Sequence, residues 1–219
     1  MLFDIDVLKN KRILITAGPT WVPIDSARVI GNTATGRTGI LLAEGLAGRG
    51  GRVTLLLGPV GACCLDKRIK VLDFKFFGEL KDKLAKEIKS KKYAIVVHTA
   101  AVSDYQPLKH FRGKIKSGRK NLRIALRPTP KIINLIKRID RNLLLVGFKF
   151  EPQAGKINLL SKARKLLAQA KADLVVANNL AGGGYRAYIV GQGQEYGPYG
   201  SKAAMVNRLI GLLQWGSKP

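Results

Sequence analysis

Directly after an apolar run, Tyr93 to Val97, the chain carries Ala100-Ala101-Val102-Ser103-Asp104-Tyr105, and then a loop with Lys109, Arg112, Lys114, Lys116, Arg119, Lys120, Arg123 and Arg127. No acid lies between Tyr105 and Arg127. Small residues let a ligand approach the backbone while cations neutralise phosphate, so this order of residues predicts a polyphosphate site and a phosphorylated small molecule as partner. A second candidate is Gly31-Asn32-Thr33-Ala34-Thr35-Gly36-Arg37-Thr38-Gly39, which opens a helical pattern. Free backbone N–H groups and the helix dipole favour an anion at such a start. An ordinary glycine-containing connection, with Thr35 or Thr38 as the helix cap, accounts for the same residues equally well.

These residues need a frame, and the periodicity of the chain supplies one. Arg12 to Thr16 reads as a buried strand stopped by Ala17-Gly18-Pro19-Thr20. Ile40, Leu41, Ala43, Leu46 and Ala47 follow at helical spacing, Gly50-Gly51 ends that helix, and Val53 to Leu57 resumes a strand. Ile69 to Phe74 suggests a third strand and Tyr93 to Val97 a fourth; Leu80, Leu84 and Ile88 put an apolar stripe on the helix between them. A helix around Ile132 to Ile139, a strand over Leu143 to Phe148, a basic helix over Asn158 to Lys171 and a strand through Asp173 to Asn178 continue the alternation. Tyr188 to Val190 and Glu195-Tyr196 suggest a terminal hairpin, and Ser201 caps a last helix bearing Met205, Val206, Leu209 and Leu213. Continuous apolar strands between amphipathic helices imply an α/β class: a three-layer, Rossmann-like parallel sheet with helices on both faces and a C-terminal hairpin and helix extension. Ligands of open parallel sheets bind beyond the carboxyl ends of the strands, so Gly18 to Thr20, Asp104, Phe148 and Asn178 should gather along one edge.

Composition bounds the rest. The 219 residues, 46% of them hydrophobic, suit one domain spanning 1–219. Lys and Arg number 39 against 14 Asp and Glu, a formal charge of +25 within a total charged fraction of 24% that is ordinary in amount. The bases are spread from Lys9 to Lys218, which would draw nucleic acid or another anionic surface without a dedicated reading element. Cys63 and Cys64 are adjacent and read as small packing residues, His98 and His110 are far from them, and no zinc-ligand spacing occurs. A reducing cytoplasm is expected, with no signal-peptide pattern and no membrane span.

Two nucleotide motifs fail on inspection. G-x-G-x-x-G after the first strand is missing, because the glycine after Gly18 is Gly31. Tyr105-Gln106-Pro107-Leu108-Lys109 matches the Tyr-x-x-x-Lys of short-chain dehydrogenases, but that pair works from one helical turn and Pro107 costs about 3 kcal/mol inside a helix.

Thr16-Ala17-Gly18-Pro19-Thr20, Pro23-Ile24-Asp25, Arg28-Val29-Ile30-Gly31-Asn32, Gly36-Arg37-Thr38-Gly39, Ala100 to Tyr105, Lys114-Ile115-Lys116, Gly147-Phe148 and Asp173 to Asn178 fall in one order. That order resembles phosphopantothenate-cysteine ligase, in a form without the flavin decarboxylase domain to which many bacterial relatives are fused. The resemblance implies coenzyme A biosynthesis. A nucleoside triphosphate, CTP or ATP, activates 4'-phosphopantothenate as an acyl-nucleotidylate with release of pyrophosphate, and L-cysteine then forms the amide. Mg²⁺ is implied as cofactor and a homodimer as the assembly, because relatives complete each site with a flap from the partner.

Carried over by position, the resemblance makes Lys114 the lysine on the triphosphate, Asn32 the amide that binds phosphopantothenate and steadies the acyl intermediate, and Arg28 an assistant in the second step. It puts Gly18, Asp104, Pro130, Ile132, Ile133 and Phe148 around the nucleotide, and Ala100 and Ala101 by the substrate. Lys165 is assigned to the nucleotide with Lys162 or Lys171 as a companion. Two departures stand out: Ala34-Thr35-Gly36-Arg37-Thr38-Gly39 replaces Ser-Ser-Gly-Lys-Met-Gly, and Pro130-Lys131-Ile132 replaces Pro-Asp-Ile. If the missing acid touches the nucleotide through its side chain, Lys131 changes base preference; if through its backbone, Lys131 is tolerated.

Overall fold

The structure is a computed structural model and describes residues 7–61, 65–109, 111–118 and 120–215. Cys63, Cys64, His110 and Arg119 lie outside these residues.

β-Branched and leucine-rich runs form the expected strands: β1 Arg12–Ala17, β4 Arg52–Leu57, β5 Lys70–Asp73, β6 Ile95–His98, β9 Leu144–Phe150 and β10 Leu174–Asn179. With β11 Arg186–Val190 and β12 Glu195–Tyr199 they make one eight-stranded sheet in the order β12-β11-β10-β9-β6-β1-β4-β5. All neighbours from β5 to β10 run parallel, and only β11 and β12 run antiparallel. The expected C-terminal hairpin is present and extends the parallel sheet as its antiparallel edge.

Successive residues of each strand enter opposite layers. Ile13, Ile15, Val53 and Leu55 pack with Leu42 and Leu46 of α1 (Arg37–Ala47) and Leu209 and Leu213 of α5 (Lys202–Trp215). Leu14, Leu56, Val96, Leu145 and Val175 pack with Leu80 and Leu84 of α2 (Phe77–Ser90), Ile136 of α3 (Ile133–Ile139) and Leu159 and Ala163 of α4 (Lys156–Ala170). This is a three-layer α/β fold, and double-sided burial explains why the strand runs lack polar alternation. Ser201 caps α5 as expected, its Oγ accepting the Ala204 N–H at 3.1 Å. At the start of α1, Gly36, at φ 70°, takes the cap position with no side-chain bond, so neither of the alternatives Thr35 and Thr38 holds it. No described helix is long and apolar enough to cross a membrane.

Two small hairpins stand off the sheet. β2 (Trp21–Pro23) pairs β3 (Val29–Gly31), and β7 (Tyr105–Pro107) pairs β8 (Leu126–Pro128). Three-residue strands are too short for a period of two to register, which is why the sequence leaves both segments irregular. With Tyr105–Pro107 extended, no helical turn joins Tyr105 to Lys109, and the dehydrogenase pair does not form.

Candidate active site

Beyond β1 and β6 the two segments stay zipped. Ala101 donates its N–H to Gly18 O at 2.9 Å, and Thr20 donates to Ala101 O at 3.2 Å. Ser103 N–H reaches Thr20 Oγ1 at 2.9 Å, Ser103 Oγ bonds Thr20 O at 3.1 Å, and Thr129 Oγ1 bonds Ser103 O at 2.6 Å. Each buried hydroxyl replaces a lost ladder bond, so the turns over 17–20 and 99–104 form a fixed ledge. Beneath it, Thr16 Oγ1 lies 2.8 Å from His98 Nδ1 and accepts the Ala100 N–H at 3.2 Å. Burial pulls the His98 ring down to about 4, so it is neutral at pH 7 and acts as packing beneath the site.

Two cavities open over this ledge. The first, about 610 Å³, has Gly18, Asn32, the start of α1 from Gly36 to Gly39, and Asn178 in its wall. Asn32 donates one Nδ2 hydrogen to Ala101 O at 3.0 Å, leaving its second hydrogen and its carbonyl oxygen for a ligand. Helix α1 sits close because Gly39 has no side chain: a Cβ there would lie 2.4 Å from Ala17 Cβ. The second cavity, about 510 Å³, is framed by Ala100, Pro130, Ile132 and Ile133 and carries Asp104, Lys131, Lys149, Glu151, Lys162 and Lys165. Thr99, Ala101, Phe148 and Phe150 line both, so the two are compartments of one cleft.

The charges of the second compartment hold one another. Glu151 lies 2.8 Å from Lys149 and 2.5 Å from Lys162, and those bonds keep its carboxyl below the usual range. Lys131 Nζ lies 2.6 Å from Asp104 Oδ1, with both side chains exposed. Lysines outnumber acids four to two there, so a polyanion finds uncompensated positive charge and donors that can exchange carboxylate for phosphate.

Arg28 and Lys114 lie elsewhere. Asp25, 3% exposed, accepts the N–H groups of Ala27 and Arg28 on Oδ1 and that of Ile115 on Oδ2, and pairs with the Arg28 guanidinium at 2.9 Å. The Ile115 bond, then the Ala27 bond, lead the interactions that hold its carboxyl below the usual carboxylate range. Arg28 also reaches Ile115 O at 3.4 Å, and Ser26 N–H reaches Gly113 O at 3.3 Å. This knot fastens the Lys114 loop to the tip of the β2–β3 hairpin. Lys114 itself is exposed, and neither it nor Arg28 is in the wall of either compartment of its own chain.

The family model of the DNA/pantothenate metabolism flavoprotein C-terminal domain matches residues 8–190. The chain belongs to that family. Among curated relatives, the coenzyme A biosynthesis bifunctional protein CoaBC of Thermococcus kodakarensis is 40% identical over 174 residues, 79% of this chain and 42% of the relative. A cysteine/cysteine sulfinic acid decarboxylase from an unidentified prokaryote is 39% identical over 79% of this chain and 47% of the relative. The chain spans less than half the length of both relatives, whose names record different activities, so it is the shared half that bears on this protein. The crystal structure of the DNA/pantothenate metabolism flavoprotein from Streptococcus pneumoniae superposes with a TM-score of 0.85 at 26% identity, over 94% of this chain and 99% of that one.

The cleft brings together most residues singled out by sequence. Gly18, Asn32 and Ala101 meet in the first compartment; Ala100, Asp104, Pro130, Ile132, Ile133, Phe148 and Lys165 meet in the second. Of the two companions considered for Lys165, Lys162 lies one turn away on α4 and lines the second compartment, whereas Lys171 ends the helix at φ 52° and is not in that wall. Sequence reasoning did not single out Lys149, near the end of β9, or Glu151, the residue after that strand, and gave Asp25 no role. The signal available for the first two was their place at the carboxyl end of a parallel strand; for Asp25 there was none, because its partner Ile115 is 90 residues away.

Proposed function

We propose that this chain is a phosphopantothenate-cysteine ligase of coenzyme A biosynthesis, with residues 1–219 acting as one cytoplasmic catalytic domain. The reading rests on family membership, on the shared half of a CoaBC relative and on one structural observation: a two-part cleft at the carboxyl rim of the sheet, with an amide and a helix start in one part and clustered lysines in the other. The phosphate of 4'-phosphopantothenate fits the α1 start from Gly36 to Gly39, and the nucleoside triphosphate fits the lysine compartment, its base against Pro130, Ile132, Ile133 and Phe148.

The chemistry follows from that placement. A carboxylate oxygen of phosphopantothenate attacks the α-phosphorus, the bond to the bridging oxygen breaks, and pyrophosphate leaves with charge that Lys162, Lys165 and Lys114 offset. The free Asn32 donor bonds the acyl oxygen as the cysteine amine attacks; nucleoside monophosphate departs, the amine loses a proton, and Arg28 assists. No covalent protein nucleophile is required. Asp104 and Glu151 are the carboxylates of the second compartment, and no group of three His, Cys, Asp or Glu among the described residues could hold a metal ion. Such a donor set fits Mg²⁺ carried on the phosphates, where it would shield their charge, and not a resident ion.

In this reading the enzyme is a homodimer. Lys114 lies outside its own cleft, and Val29, Tyr105, Leu108 and Leu126 on or beside the two hairpins are exposed, a surface suited to a second copy whose cleft then receives the loop. Nucleic acid would bind only non-specifically, through net charge. The test is pyrophosphate release that requires both phosphopantothenate and a triphosphate, followed by amide formation on adding L-cysteine. CTP and ATP are run in parallel, and CTP is the expected co-substrate. With Lys131 closing on Asp104, the Lys131→Asp variant tells whether that position sets base preference. Salt-sensitive binding of DNA without such turnover would replace the ligase reading.

A further inference from the structure

The opposite rim of the sheet carries a feature that the ligase reaction leaves unused. Arg12, Arg52 and Lys70 are the first residues of β1, β4 and β5, three adjacent strands, and Arg12 and Arg52 are direct register partners. Arg68 and Lys91 close the sides, and a concavity of about 420 Å³ lies between them with Thr54 and Tyr93 in its buried lining. Five cations therefore converge on one hollow.

Among the described residues, two acids answer them. Asp66 is closed on Arg68, and Glu87 is shared between Lys91 at 2.8 Å and Lys70 at 3.9 Å. Among the described residues, neither Arg12 nor Arg52 has a carboxylate within ion-pair reach. Like charges directly opposite on neighbouring strands are destabilising, and here the chain puts two arginines at partnered positions of adjacent strands with no ion-paired acid. Lys70 is crowded as well: contact with Lys91 holds its ammonium below the ordinary lysine value. An anion seated among these side chains would turn each repulsion into an attraction. The cations come from several directions around a hollow, which suits a compact, multiply charged ion more than a long polymer.

We propose that the Arg12, Arg52, Arg68, Lys70 and Lys91 pocket is a second anion site that binds a compact polyphosphate. It lies at the far end of β1 from Gly18, roughly 20 Å away by strand rise, so it cannot be part of the ligase cleft of the same chain.

The full chain is titrated with inorganic tripolyphosphate while backbone amide resonances are followed by NMR. Saturable shifts are expected at Val53, Thr54 and Tyr93, separate from any at Asn32 and Gly36. In the Arg52→Gln, Lys70→Gln double variant, both exposed positions, the dissociation constant read from the first group should rise about tenfold or more, as loss of two charge-assisted bonds implies. The second group should be unaffected. A nucleoside triphosphate that binds at the same amides more tightly than tripolyphosphate identifies a nucleotide tail as the occupant, and equal binding identifies the inorganic ion. Absent or non-saturating shifts at Val53, Thr54 and Tyr93, equal affinity in the double variant, or shifts produced by a short DNA duplex but not by tripolyphosphate would each overturn the site.

Discussion

Asn32 and His98 sit about the same ledge and illustrate how differently two polar side chains serve it. Asn32 is exposed and ties one amide hydrogen to Ala101 O, so little of the core depends on it. Asn32→Ala should lower turnover by about 100-fold, the cost of a lost donor to a developing oxyanion, while stability changes by no more than about 1 kcal/mol. Pyrophosphate release and urea unfolding on the same preparation check both, and unaltered turnover would remove Asn32 from the chemistry. His98 is buried and neutral, with its folded value near 4. In the unfolded chain the ring titrates near 6.5, so between these values the unfolded state binds more protons than the folded one. Stability from this group is complete above about pH 6.5 and falls as pH drops toward 4, by about 3 kcal/mol in all. Unfolding free energies at pH 7 and 4.5 should show that loss in the parent chain and a smaller one in His98→Gln; equal losses would refute the assignment.

At the scale of elements, close approach decides where the cleft lies. α1 reaches the ledge through Gly39, whose added Cβ would lie 2.4 Å from Ala17 Cβ and 2.7 Å from Thr99 Oγ1. Gly39→Ala should push the helix start away from β1 and β6, destabilising the fold by about 1–3 kcal/mol and weakening phosphopantothenate binding together. Urea unfolding and calorimetric titration measure the two effects. The glycine was visible in the sequence and the helix after it was legible from Ile40, Leu41, Ala43, Leu46 and Ala47. Its reason was not, because Ala17 and Thr99 approach it only in the folded chain. The two hairpins carry the same lesson: pairings such as Trp21 with Gly31 and Tyr105 with Pro128 leave no periodic trace, and Asp25 joins their loops through a bond to Ile115.

For the whole molecule the proposed dimer turns on Lys114, whose loop is anchored by Asp25 and which is in neither compartment wall of its own chain. If a homodimer shares its sites, a mixed dimer of Asn32→Ala and Lys114→Gln chains has one damaged site and one intact site. Equal mixtures allowed to exchange should then recover about one quarter of the parent turnover although each variant alone is impaired. Activity assays after exchange, with sedimentation to follow the assembly, decide it; no recovery means that Lys114 serves its own chain or none. The parallel strands of the main sheet, the helices and the three-layer class could be written from the sequence alone, because strands buried on both faces must be apolar throughout and the helices between them must carry an apolar stripe. So could the residues at the strand ends, since a parallel sheet delivers its carboxyl termini to one rim. Only the tertiary structure decided that β11 and β12 complete the main sheet, that Lys162 and not Lys171 joins Lys165, that Lys131 meets Asp104, and that Lys114 is held apart from Asn32. These outcomes depend on contacts between residues far apart along the chain, where neither periodicity nor local propensity carries information.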